Sequence, residues 1–313
     1  MPFHPRNQHQ GHYDFAALTS RNKALKPHLT RNPSGEQTID FADAVAVKEL
    51  NRALLQTQYG LSTWDIPEGY LCPPVPGRAD VIHAIADLLN TSHDGQLPPG
   101  NALYGLDIGC GANLIYPLIG QAAYGWHFVA SDTDQMALDN ARRILTANPD
   151  FLPTITLRKQ ADPAQVFSGM IQPDELFDVT LCNPPFHADQ ATARAANQKK
   201  WQQLGKRESK RDPGLNFAGQ SHELICPGGE AGFLQRLIAD SQAFATQVFW
   251  FTTLVSKAAN LPTLRQQLEK QGVTDLRVID MAQGNKHSRL LAWTYLDKKQ
   301  RRAWRRKRWQ AAE

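Results

Sequence analysis

Short apolar runs alternate with stretches of helical spacing over the last two thirds of this chain. Leu103–Ile108, Trp126–Ser131, Thr154–Arg158, Phe177–Cys182, Gln247–Thr253, Thr274–Asp280 and Leu290–Leu296 read as strands. Helical patterns at about Leu114–Ala123, Thr133–Ala147, Ala231–Ala245 and Ala258–Gln271 lie between them. Strands alternating with helices of this length imply βαβ units, hence an α/β fold with a mostly parallel, doubly wound, Rossmann-like sheet over residues 101–297. Upstream, Val47, Leu50, Leu54 and Leu55 predict a helix over Asp43–Tyr59, and Val81, Ile82, Ile85 and Leu88 another over Arg78–Leu89. The four prolines of Ile66–Gly77 argue against regular structure there, and residues 1–40, poor in apolar positions, read mostly as loop. An N-terminal region (1–100) thus packs onto a catalytic domain.

The 313 residues suit one large domain with additions, or two. Mean hydropathy is −0.45, and no apolar run approaches the roughly 18 residues of a membrane span. The polar N-terminus is not a secretory signal, so a cytoplasmic protein is expected. Cys72, Cys110, Cys182 and Cys226 are widely spaced and read as reduced, buried thiols.

Charge changes the picture more. Residues 298–308 carry eight Lys or Arg and no acid, leaving residues 1–297 at −3 (26 basic against 29 acidic). Arg194–Arg211, within a basic insertion at 194–225, adds seven basic residues against one Glu, among them Lys199, Lys200, Lys206 and Arg207. Such concentration predicts a polyanionic partner. Trp304 and Trp309 suggest that the tail, 298–313, touches bases or a surface rather than merely aiding solubility. His4, His9 and His12 resemble a metal cluster, but a basic arm containing His4 and Arg6 that contacts such a polyanion is the better reading, and no metal is expected.

In a doubly wound sheet, ligands bind beyond the carboxyl ends of the strands. Three such ends carry chemistry. After Asp107 and Ile108, Gly109-Cys110-Gly111-Ala112-Asn113 gives a tight turn with bare backbone, without the later glycine of a dinucleotide fingerprint. Asp132, 21 residues past Gly111, is placed to accept from ribose hydroxyls and also to cap the following helix, with Asp134 in its first turn. Asn183-Pro184-Pro185-Phe186 follows the Phe177–Cys182 strand. Its prolines stiffen the turn, the Asn183 oxygen and Pro184 carbonyl converge on a planar amino group, and Phe186 offers a stacking face.

These elements, in this order, resemble the class I S-adenosylmethionine-dependent amino-group methyltransferases. His4-Pro5-Arg6-Asn7, Ile39–Asp43, Pro73–Arg78 and Gln283-Gly284 are similar to the bacterial 23S rRNA (adenine-1618-N6) methyltransferases and, more distantly, to the methyltransferase-like enzymes acting on U6 snRNA. The resemblance spans about residues 3–297. It implies S-adenosyl-L-methionine as cofactor, lined by Asp107, Gly109, Gly111 and Asn113, with Asp132 on the ribose, Arg78 on the carboxylate and Asp162 near the adenine. It implies that Asn183 to Phe186 hold a flipped adenosine of 23S rRNA, free or in an assembling large subunit. Lys257, Arg289 and the tail's Arg305 join the basic insertion as expected RNA contacts, and a monomer without membrane partners is expected. Guanine-N2 methylation, protein-glutamine methylation and a non-catalytic, RNA-binding assembly factor remain as rival readings.

Overall fold

The computed structural model describes residues 3–187, 223, 225–283 and 286–309. Residues 1–40 hold more order than their polarity suggests. Phe15–Arg21 forms a helix (α1) capped by Asp14, and Leu29–Arg31 (β1) pairs antiparallel with Gln37–Ile39 (β2). These elements are too short to show periodicity in sequence. Ala44–Gln58 (α2) starts where Asp43 accepts from Val45 N. The next helix, Val75–Ser92 (α3), begins inside the proline-rich stretch rather than after it. Pro74 at its N-cap and Pro76 in its first turn lack only N–H groups that a helix start cannot pair.

The sheet follows. Tyr104–Ile108 (β3), Ile115–Tyr124 (α4), His127–Asp132 (β4), Gln135–Ala147 (α5), Ile155–Lys159 (β5) and Phe177–Cys182 (β6) make up its first half. Gly229–Ser241 (α6), Val248–Val255 (β7), Leu261–Lys270 (α7), Asp275–Gln283 (β8) and Lys286–Thr294 (β9) complete it. The strand order is β5-β4-β3-β6-β7-β9-β8; the first five are parallel and β9 runs antiparallel to both of its neighbours. Helices α2 to α5 bury Leu54, Ile85, Leu118 and Ile144 against one face, while α6 and α7 bury Leu234, Ile238, Leu264 and Leu268 against the other. β7 is buried at all eight positions, as a central strand covered on both faces must be.

The order reverses between β3 and β6, where Ile108 pairs with Cys182. The glycine turn and the Asn-Pro-Pro turn therefore leave the sheet side by side, at its switch point.

The C-terminal segment is not a detached tail. Lys298–Arg308 is a helix (α8) started by a capping box between Asp297 and Gln300. Trp304 and Trp309 are buried rather than offered to bases, and both indole N–H groups donate to Asp178 Oδ1 at 2.7 Å. An amphipathic helix with two large apolar anchors lowers its free energy by docking, and the dense Lys/Arg composition conceals this in sequence. Among the described residues, no helix is long and apolar enough to cross a membrane.

Candidate active site

A cleft of about 510 Å³ opens at the switch point, walled by the ends of β3, β4, β5 and β6 and by α3. At its base, Gly109 and Cys110 both donate backbone N–H to Ser131 O at 2.9 Å, which folds the turn back over β4. Gly109 takes φ +75° with nothing within 4 Å of where a Cβ would stand, so its bare backbone faces open space. Gly111, at φ +62°, donates to Asp132 Oδ2 at 2.8 Å. Asn113 turns the chain into α4 by accepting from Ile115 N, while Trp64 Nε1 donates to the Asn113 carbonyl. Leu114 holds a left-handed backbone to make that entry.

Asp132 also accepts from Asp134 N. The cap of α5 is Asp134, not Asp132: its side chain accepts from Met136 N, and Tyr70 donates its hydroxyl to the same carboxylate. The two aspartates divide the roles, Asp132 bracing the glycine turn and Asp134 the helix.

Asp107 is fully buried, and neither carboxylate oxygen has a hydrogen-bond partner among the described residues. Burial, reinforced by the Asp132 charge and opposed by Arg78, pushes its pKa up to about 8. Arg78 reaches in from α3. Its Nη1 donates to the Tyr116 hydroxyl at 2.8 Å and to Asn183 Oδ1 at 3.1 Å, and its guanidinium lies 5.4 Å from the Tyr116 ring centroid. Burial raises the Tyr116 hydroxyl to about 12, so it stays a neutral acceptor for Arg78.

Of the residues expected from sequence, Arg78, Gly109, Gly111, Asn113, Asp132, Asn183 and Pro185 line one cleft. Asp107 sits buried beside it. Pro184 is buried and Phe186 half-buried, and neither forms the wall. Asp162 turns away: it is exposed and accepts from Ala164 N. Gln160, two residues earlier, occupies the wall instead, held by its own bonds to Ser168 O and Asp162 N. Tyr116, Gln160 and Glu223 are wall residues that the sequence reading missed. Glu223 accepts from Leu71 N at 3.0 Å and approaches Gly111, a contact across 152 residues that no local pattern announces.

The expected RNA contacts divide. His4 Nε2 and Arg6 Nη2 both bond Asp87, and Arg6 also reaches Tyr124 and His83 O, so these two residues fasten the N-terminal arm to α3. Arg305 donates to Ser92 O and pairs with Asp94, holding α8 rather than facing outward. Arg289 pairs with Asp280 across β8 and β9 at 3.6 Å. Lys257 is exposed just past the end of β7. Lys199, Lys200, Lys206 and Arg207 lie outside the described residues. No group of three or more His, Cys, Asp or Glu among the described residues is arranged to hold a metal.

The donor set suits an amino acid joined to a nucleoside. An orphaned buried carboxylate matches an ammonium, a guanidinium in a fork matches a carboxylate, and a glycine turn admits close approach. Comparison with known proteins agrees. The chain is 58% identical to the ribosomal RNA large subunit methyltransferase F of Pseudomonas aeruginosa (strain LESB58), over 99% of this chain and 93% of that one. It is 52% identical to the protein of the same name in Ectopseudomonas mendocina (strain ymp), over 98% and 92%. Among solved structures, the hMettl16 catalytic domain in complex with MAT2A 3′UTR hairpin 1 matches with a TM-score of 0.79 at 30% identity, covering 95% of this chain and 97% of that one. The N-terminal domain of human METTL16 in complex with SAH gives 0.74 at 27%, covering 94% and 99%. The fold is that of the class I S-adenosylmethionine-dependent methyltransferases. With a family model described as RNA methyltransferase matching residues 1–297, the chain belongs to that family and is an S-adenosylmethionine-dependent enzyme.

Proposed function

We propose that this protein methylates N6 of one adenosine in large-subunit ribosomal RNA, acting in the cytoplasm as a monomer. The observation carrying the chemistry is that Asn183 Oδ1, an amide acceptor held by Arg78, stands at the switch point beside the glycine turn. Asp107, Arg78, Asp132 and the turn from Gly109 to Asn113 would hold the cofactor. When bound, S-adenosylmethionine supplies a methyl group made electrophilic by its sulfonium.

Asn183 Oδ1 and the Pro184 carbonyl accept the two protons of the exocyclic amine. The two prolines fix φ at successive positions and so hold that carbonyl in place. Holding both protons favours a pyramidal nitrogen and concentrates its lone pair, so these acceptors stabilise the transition state more than the ground state. Bound S-adenosylmethionine would supply the methyl carbon and keep the carbon–sulfur bonding pair, and the amine proton, acidic once the nitrogen is substituted, leaves to solvent without a dedicated base. Phe186 gives the extruded base a ring to stack on. RNA beyond that base falls to the basic stretch 194–211 and Lys257.

The test is mass-spectrometric nucleoside mapping of rRNA from cells with and without the protein. A single N6-methyladenosine lost with the protein supports the reading, and a lost N2-methylguanosine, or no change, overturns it. Asn183→Ala should fail to restore the mark while still binding cofactor.

A further inference from the structure

We propose that α8 is a rigid second docking surface for RNA, contacting the phosphate backbone of a segment remote from the target adenosine. The proposal rests on the reading of RNA as substrate. Helix α8 carries eight basic residues in two sets. Arg301, Arg305 and Arg308 turn inward and pair with Asp275, Asp94 and Asp178. Lys298, Lys299, Arg302, Arg306 and Lys307 are exposed, and none of them pairs with a carboxylate among the described residues. Like charges gathered on one helix face repel one another, and a polyanion relieves that repulsion with release of its counterions.

The two tryptophans decide what is bound. Both are buried, so the outer face has no aromatic platform on which bases could stack. What it offers is fixed positive charge, which reads backbone rather than sequence. The fold also sets its position. Asp178, which holds α8, and Asn183 lie at opposite ends of β6, about 16 Å apart at roughly 3.3 Å per residue. Arg78 in the cleft and Ser92 against α8 are separated by about 21 Å of helix at 1.5 Å per residue. An RNA touching both surfaces must reach round the domain edge, so this contact selects structured RNA over a short strand.

Deleting the segment would strip Asp178 of its two indole donors and of Arg308, so the test uses outward substitutions only: Lys299→Gln, Arg302→Gln, Arg306→Gln and Lys307→Gln together. Equilibrium binding is measured without cofactor, to a full-length large-subunit rRNA transcript and to a short single strand carrying one adenosine. We expect the variant to lose about tenfold or more in transcript affinity, with a salt slope shallower by about 3 for four lost phosphate contacts. Affinity for the short strand and the unfolding temperature should not change. Unchanged transcript affinity and slope, or equal losses on both probes, would overturn the proposal. Because binding is read without turnover, this result is independent of whether nucleoside mapping finds a methylated adenosine.

Discussion

Arg78 donates one nitrogen, Nη1, to both Asn183 Oδ1 and the Tyr116 hydroxyl, at 3.1 and 2.8 Å. An amide beside a guanidinium must turn its oxygen toward it, so Arg78 fixes which end of Asn183 accepts hydrogen bonds. The second lone pair of that oxygen is then aimed by a charged, immobilised donor. A residue expected from the family resemblance to grip the cofactor carboxylate thus also orients the amide proposed to accept from the substrate amine.

Arg78→Lys tests this double role. A lysine is shorter and lacks the planar guanidinium that lies by the Tyr116 ring, so it cannot hold both acceptors in the same geometry. We expect kcat to fall roughly 10- to 100-fold, the scale of a small misplacement of reacting groups. Asn183→Ala should cost kcat about 10²- to 10³-fold, as for removal of one preorganised hydrogen-bonding group. Calorimetric cofactor binding separates the two: weakened by Arg78→Lys and almost unaffected by Asn183→Ala. Cofactor affinity unchanged in Arg78→Lys would confine Arg78 to positioning Asn183.

Asp107 makes stability depend on pH. Its carboxyl titrates near 8 in the folded protein, against 3.8 ordinarily. Below about pH 4 the folded and unfolded chains both carry the proton. Between 4 and 8 only the folded chain does, so this group's contribution to stability is lost as pH rises through that window. Asp107→Asn removes the titration. In cofactor-free protein the variant should match the parent near pH 4 and exceed it at pH 8, by up to about 5 kcal/mol for a carboxyl raised from 3.8 to about 8. Its cofactor binding should weaken, because a neutral amide is a poorer partner for an ammonium. Parallel melting curves for parent and variant across pH 4–8 would show that Asp107 has no such linkage.

The N-terminal arm makes a different prediction. Arg6 bonds Tyr124, His83 O and Asp87, three groups of the folded domain. Arg6→Ala should therefore lower the unfolding free energy, by about 1 kcal/mol because the Asp87 pair is partly solvated. RNA affinity of the folded variant should stay level. A drop in affinity without a change in melting would return Arg6 to the substrate interface.

What the sequence disclosed was what lies close together along it. β6 falls where its apolar run predicts, and the three strand-end motifs converge because their parallel strands are neighbours. What it withheld depends on distant partners. The inward face of α8 is unreadable without Asp178, 126 residues before Trp304. Glu223 and Tyr116 look like ordinary surface and helix residues until Leu71 and Arg78 are placed beside them. Asp162 drew attention as a carboxylate near a strand end, yet its place after the bend at Ala161 commits it to a turn. Proline misled in the other direction, since the same residue breaks a helix interior and suits a helix start.

Asp178 offers the sharpest test of how α8 is held. This wholly buried carboxylate accepts from Trp304 Nε1 and Trp309 Nε1 at 2.7 Å, from Tyr104 N at 2.8 Å and from Arg308 Nη2 at 3.1 Å. Asp178→Ala leaves two indole donors, a backbone N–H and a cation without their acceptor, at a cost of about 3–5 kcal/mol for a broken buried pair. The helix follows the last strand instead of lying between two strands of the sheet, so undocking it relieves most of that cost without unfolding the sheet. Trypsin should then cleave within 298–308, where eight basic residues stand, much faster than it does in the parent. Asp178→Asn keeps an oxygen for the indoles but loses the Arg308 charge, and should be cut at an intermediate rate. If both variants resist trypsin as the parent does, apolar packing of Trp304 and Trp309 against Phe249 suffices to hold the helix, and the carboxylate only fixes its register.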